Sequence, residues 1–192
     1  MKLPSPSARV PAPYLDALAG KDPLKSMAKT ARRLERLLLA AKASKPQWGQ
    51  RPAPLKWSVK EILSHLADHE VMQGARWRMV AAMEKPPIAG YDQNAFVEAQ
   101  DMAKVSVKEL LRAFRAAREA NLGCLERLGS KVWQRSGMHA ERGEETMADM
   151  TWRAAGHDRI HEGQLARVLA ELAAKKPRSK RRRQASRRGQ ES

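Results

Sequence analysis

The stretch TMADMTWRAAGHDRIHEGQLARV, residues 146–168, decides how the chain folds. From there to Leu172, the residues Met147, Met150, Ala154, His157, His161, Leu165, Val168 and Leu172 recur at three- and four-residue steps. Those steps place side chains on one face of an α-helix. The pattern predicts a helix from about Thr146 to about Ala174, apolar on one side and carrying two histidines within that side.

Three more helices are readable upstream. Asp22 followed by Pro23 has the form of an N-cap with proline at the first helical position, opening a helix to about Ala43 along Leu24, Met27, Ala31, Leu34, Leu38 and Ala41. Ser58 with Glu61 three residues later has the spacing of a capping box. It opens a second helix that stops near Met83, ahead of Pro86–Pro87, with Val59, Ile62, Leu66, Met72 and Val80 on its apolar face. Ser106 with Glu109 repeats the signature for a third helix, which ends at Gly129 and carries Leu110, Leu111, Phe114, Leu122, Leu125 and Leu128. Some twenty residues, including PPIAGYDQNAFVEAQ, separate the second and third helices, enough for the two to run parallel. With no convincing strand pattern, the expected fold class is all-α, a four-helix bundle with a long crossover connection between helices two and three. The expected organisation is an irregular Pro-rich segment over 1–22, the bundle over 23–174 and a disordered basic tail over 175–192.

Composition agrees with this reading. Hydrophobic residues make up 42% of the 192, enough for a core, while aromatics are only 5%, which argues against a β fold. One cysteine, Cys124, excludes an intramolecular disulfide and fits a reducing compartment. No apolar run approaches the roughly 20 residues that span a bilayer, and MKLPSPSARVPAPYL lacks the apolar stretch of a secretory signal. A cytoplasmic protein without membrane contact is expected. The net charge is +16, and residues 175–192 supply +8 of it from nine Lys or Arg against one Glu. The excess is therefore in large part a property of the tail.

His157 and His161, four residues apart on one helix, present both imidazoles from one face. Two readings stay open on spacing alone: a pair that bites one metal ion, or a hydrogen-bonded pair at the core boundary. His65, between Ile62 and Leu66 on helix two, can meet them from a facing helix, leaving a fourth coordination position open. His69, one turn after His65, competes for that role, although Asp68 and Glu70 beside it suggest a wetter edge. His139 falls in a polar loop before the last helix.

The pieces KWSVKEILSHLADHE at 56–70, YDQNAF at 91–96, LLRAFRAAREANLGCLERL at 110–128 and TMADMTWRAAGHDRIHEGQLARV at 146–168 resemble, in this order, the DinB/YfiT-like superfamily of bacterial four-helix-bundle metalloproteins. The resemblance covers roughly Pro23 to Leu172. It implies that His65, His157 and His161 are the metal ligands and that the bundle has the crossover; the expected cofactor is one divalent ion, zinc or nickel, since imidazole ligands suit both. It further implies a metal-dependent transferase using a low-molecular-weight thiol as cosubstrate, such as bacillithiol or mycothiol. Neither the thiol, its acceptor nor the small-molecule substrate is readable.

Cys124, between Leu122 and Leu125, reads as a small core residue. Asp68, Glu70, Asp92 and Asp158 are candidates to orient a ligand histidine, and equally solvated charges or caps. Trp57, Trp77 and Trp152 read as packing at the bundle ends, with Trp77 or Trp152 as candidates to line a pocket. The alternative function is a non-enzymatic binding or scaffold protein whose basic tail makes nonspecific contact with nucleic acid or another polyanion. A homodimer is compatible with the sequence.

Overall fold

In the computed structural model, which describes residues 3–43 and 45–175, six helices follow in chain order. They are α1 (Ala12–Leu18), α2 (Pro23–Ala40), α3 (Val59–Ala82), α4 (Gln93–Glu98), α5 (Val107–Arg127) and α6 (Met147–Ala174). Three short strands accompany them: β1 (Pro87–Ile88), β2 (Ser136–His139) and β3 (Gly143–Thr146). The four long helices start where their caps are. Asp22 accepts the N–H of Lys25 ahead of Pro23, and Thr146 accepts that of Asp149. Ser58 with Glu61, and Ser106 with Glu109, exchange both capping-box hydrogen bonds. Of the basic tail expected over 175–192, only Lys175 belongs to the described residues.

The contacts give the directions of the helices. Glu70 meets Arg118 and Asn121, and Arg78 meets Asn121 and the Ala120 carbonyl, while Ile62 and Leu66 share an apolar cluster with Leu110 and Phe114. Residue numbers thus rise together along α3 and α5. They also rise together along α2 and α6, where Thr30 bonds Asp158 and Arg33 bonds Glu162. Between α3 and α6 the order reverses, since Lys56 pairs with Glu171 and His65 meets His157.

Two apolar clusters fill the bundle. One gathers Leu18, Met27, Trp77, Val80, Leu125, Trp133, Met147 and Met150. The other gathers Leu34, Leu38, Ile62, Leu66, Leu110, Phe114, Leu165 and Leu172. Each fully buried side chain of this size contributes about 1.5–3 kcal/mol. Every long helix passes from one cluster to the other through a polar turn: Thr30 on α2, Glu70 on α3, Arg118 on α5 and Asp158 on α6, all buried. That shared polar layer positions the site.

Two features differ from the sequence expectation. Segment 1–22 is not irregular throughout: Pro11 caps α1 and Pro13 lies in its first turn, where a missing N–H is harmless. Leu3, Val10 and Leu18 are buried, Ser7 bonds the Asp149 carboxylate through both its N–H and its hydroxyl, and the Trp152 indole bonds the Pro4 carbonyl. Gly156 permits this docking, because a Cβ there would run into the backbone of Tyr14. The second feature is the small sheet. β1 pairs in parallel with β2, and β2 is antiparallel to β3, with Gly143 turning the hairpin at φ 74°. Strands of two to four residues are too short for an alternating pattern to register. Among the described residues no helix is long and apolar enough to cross a membrane.

Candidate metal centre

The capping box that starts α3 also sets its rotation. Ser58 and Glu61 fix the first turn, the Arg51 guanidinium clamps Glu61 at 2.6–3.1 Å, and Ile62 and Leu66 turn inward. His65 therefore faces α6 and is 2% exposed. On α6, His157 and His161 stand one turn apart on the face toward α3. The three rings converge, with centroids 4.3–4.9 Å apart. One nitrogen from each lies within 4.8 Å of the others, and Nε2 of His65 is 2.9 Å from Nε2 of His157. Among the described residues this is the group of three that could hold a metal ion.

The surroundings keep the imidazoles neutral. Burial, with the His161 ring adding to it, pushes His65 down to about 3. Burial and then the neighbouring imidazoles hold His157 well below the ordinary histidine range, and His161 is lowered by burial as well. A neutral ring keeps a lone pair for a ligand bond. For His161 the free nitrogen is assigned by its partner: Nδ1 lies 2.6 Å from Gln164 Oε1, an acceptor, so Nδ1 carries the proton and Nε2 the lone pair. Trp57 covers the cluster, 4.8 Å from His65 and nearly parallel to His161 at 6.1 Å.

His69 stays outside the convergent three. Its ring stacks on His157 at 3.9 Å, its Nδ1 is buried without a partner, and burial holds it well below the ordinary range. Of the wetter edge inferred for it, Glu70 is 0% exposed, whereas Asp68 and His69 itself are only partly buried. Beneath the rings Arg118, on α5, reaches three further helices. It donates to Glu70 Oε1 at 2.7 Å, to both Asp158 oxygens at 2.7 and 3.0 Å and to the Met27 carbonyl at 2.8 Å, while Thr30 and Asn121 donate to the same carboxylates. Neither carboxylate orients a histidine. Asp68 accepts from Gln100, and Asp92 caps α4. The orienting role falls to Gln164 instead.

The other candidates are dispersed. Cys124 is half-buried on α5 outside the histidine cluster. Trp77 belongs to the core, and Trp152 packs against the N-terminal segment. His139 is not in a loop: it lies on β2, 3% exposed, and lines a cavity of about 150 Å³ that reaches His69 and His157. A larger cleft of about 350 Å³, around Glu84, Lys85 and Arg135, contains none of the histidines. Arg118 and Trp57 were not legible as site residues, because Arg118 is one of three arginines at three-residue steps with Arg112 and Arg115, and a tryptophan ahead of a cap carries no periodic signal.

Fold and cluster together define a helical-bundle protein with a three-histidine centre. The chain belongs to the DinB superfamily, whose family model matches residues 26–165. Among solved structures it is similar to YfiT from Bacillus subtilis, with a TM-score of 0.70 and 15% sequence identity over 86% of this chain and 91% of that one. That protein is described as "a probable metal-dependent hydrolase with an unusual four-helix bundle topology". No curated protein matches the sequence significantly.

Proposed function

We propose that the chain is a metal-dependent enzyme in which His65, His157 and His161 hold one divalent ion. The observation that carries this is the convergence of three neutral imidazoles, one of them fixed in tautomer by Gln164. An all-imidazole set suits zinc or nickel, and three ligands leave a position open for a reactant. When bound, such an ion lowers the pKa of a water or thiol beside it and supplies the conjugate base as nucleophile. The chain contributes the rest. Gln164 orients His161, Trp57 limits access of water to the rings, and Arg118 locks α2, α3, α5 and α6 at the depth of the cluster. Family resemblance favours a small thiol as cosubstrate in a transfer reaction, whereas the description of YfiT makes water the competing nucleophile.

Metal analysis of tag-free protein tests the first part. About one divalent ion per chain is expected for wild type, and a large loss for His157→Ala. Metal content near zero after controlled reloading sinks the reading. For the nucleophile, cobalt-loaded protein is titrated with a small thiol. A thiolate-to-cobalt charge-transfer band supports the transferase, and its absence together with ester hydrolysis supports the hydrolase.

The +8 charge of residues 175–192 favours a second, independent reading, in which this run contacts nucleic acid or another polyanion. Salt-sensitive DNA binding that disappears when 176–192 are deleted supports it, and binding unchanged by the deletion contradicts it.

A further inference from the structure

The cavity beside the histidine cluster is bordered by α3, by the residues after β1 and by the β2–β3 hairpin, and His69 and His157 form its wall toward the centre. Five of its lining side chains hold a buried nitrogen without a partner: His69 Nδ1 and His157 Nδ1 on the wall toward the centre, and three that act as donors, Gln73 Nε2, Arg76 Nε and His139 Nε2. All three donor residues are more than nine-tenths buried. The proton on His139 is assigned by its neighbour, because its Nδ1 accepts the backbone N–H of Glu141 at 3.1 Å and so leaves Nε2 as the N–H. Arg76 donates through Nη2 to the Ala89 carbonyl at 2.7 Å and stands 5.5 Å from the centre of the Tyr91 ring. It forms no ion pair among the described residues. The other two arginines of the cavity, Arg142 and Arg153, are both engaged by Glu145, at 2.9 and 2.6 Å. Glu141 and Glu145 act on Arg76 only at longer range.

Native interiors rarely leave buried donors unanswered, and still more rarely a buried cation without a counter-charge. Here three donors, one of them on a guanidinium that has no ion-pair partner among the described residues, border one space, with Glu141 and Glu145 also in its lining. Its volume is roughly five times the share of one water in the liquid, enough for a compact oxyanion and a few further atoms. We propose that this cavity receives the anionic group of the substrate, a carboxylate or a phosphate, with Arg76 as counter-ion and Gln73 and His139 as accompanying donors. The proposal rests on the metal-dependent reading only for the position of the reacting group beside the histidines. The donors belong to the chain and act without metal.

The test is calorimetric titration of tag-free, full-length protein with inorganic phosphate and with acetate at constant ionic strength. It is run on zinc-loaded and EDTA-treated samples of wild type, Arg76→Gln, Gln73→Leu and His139→Phe. Saturable one-to-one binding is expected in both metal states, and the tighter of the two probes identifies the anion class. Arg76→Gln is expected to weaken it roughly tenfold or more while metal content stays at the wild-type value. Should Arg76→Gln fail to fold by circular dichroism, Gln73→Leu and His139→Phe decide, each with a smaller loss. Equal affinity in wild type and folded variants overturns the proposal, leaving water as the occupant. Binding that requires zinc also overturns it, since the anion then sits on the metal. Wild type without metal sinks the metal-dependent reading instead, and leaves the anion site to the Arg76 comparison.

Discussion

Around Arg118 every carboxylate oxygen of Glu70 and Asp158 has a donor, whereas one and two turns further along α3 the Gln73 amide and Arg76 Nε have no acceptor. The two clusters share the interior, use the same kinds of side chain and are comparably buried. One is closed in charge and the other open, although Arg118 Nε, like Arg76 Nε, has no acceptor. The closed network pairs its cation with two carboxylates and ties α3, α5 and α6 together, while the open one, beside three convergent imidazoles, holds a cation with no ion-pair partner among the described residues. The difference separates what holds the fold from what serves it.

The largest expected effect lies on the closed side. Arg118→Met leaves two buried carboxylates without their cation, which costs about 3–5 kcal/mol. For a chain of this size that is a fall in melting temperature of roughly 10 °C or more. The melt is run on metal-free protein, so that only the network is read. A shift of a degree or two would mean that Arg118 is not a structural tie.

Next in size is the pH response of the histidines beside the open cluster. His65 titrates near 3 in the native state and His157 and His69 well below their ordinary range, against about 6.5 in the unfolded chain. Below pH 6.5 the unfolded chain takes up protons that the native state refuses, so stability falls as pH drops from about 6.5 toward 3. The slope approaches 1.4 kcal/mol per pH unit for each such histidine. Urea midpoints of EDTA-treated protein at pH 7.5 and 5.5 check this. The drop should be smaller in His65→Gln, and a flat profile in wild type contradicts it.

Most of the helical frame was legible because its signals are local. The caps at Asp22, Ser58, Ser106 and Thr146 each satisfy a donor within three residues, and the stripes on α5 and α6 need only one helix to be read. The unread parts depend on distant partners. α1 is a short helix whose Leu18 is buried through docking on α6 at Gly156, and β2 is four residues whose pairing needs Pro87 and Ile88. Of the site, the three histidines were legible from spacing and resemblance. Arg118 was not, since its reason for burial lies on α3 and α6. Nor was His139, which owes its burial to the sheet.

Two smaller effects refine the comparison. Gln164→Leu frees the His161 ring without removing a ligand, and is expected to weaken metal affinity roughly tenfold, as loss of an orienting partner does. Competition with a chelator measures it, and unchanged affinity would show that the hydrogen bond does not position the ring. Arg76→Met, unlike Arg118→Met, removes a cation that has no carboxylate to abandon, so its effect on stability should be near zero or favourable. A loss comparable to that of Arg118→Met would erase the distinction between the two clusters.

The central claim, that three of four adjacent histidines hold one ion, is tested most directly by zinc-induced thermal shifts. The proteins are His65→Ala, His69→Ala, His157→Ala, His161→Ala and wild type, all without tags. Zinc at a hundred times its Kd should stabilise wild type by about 2.7 kcal/mol. The account predicts that this shift disappears in the His65, His157 and His161 variants and persists in His69→Ala. Loss of the shift in His69→Ala with its retention in His65→Ala would contradict it.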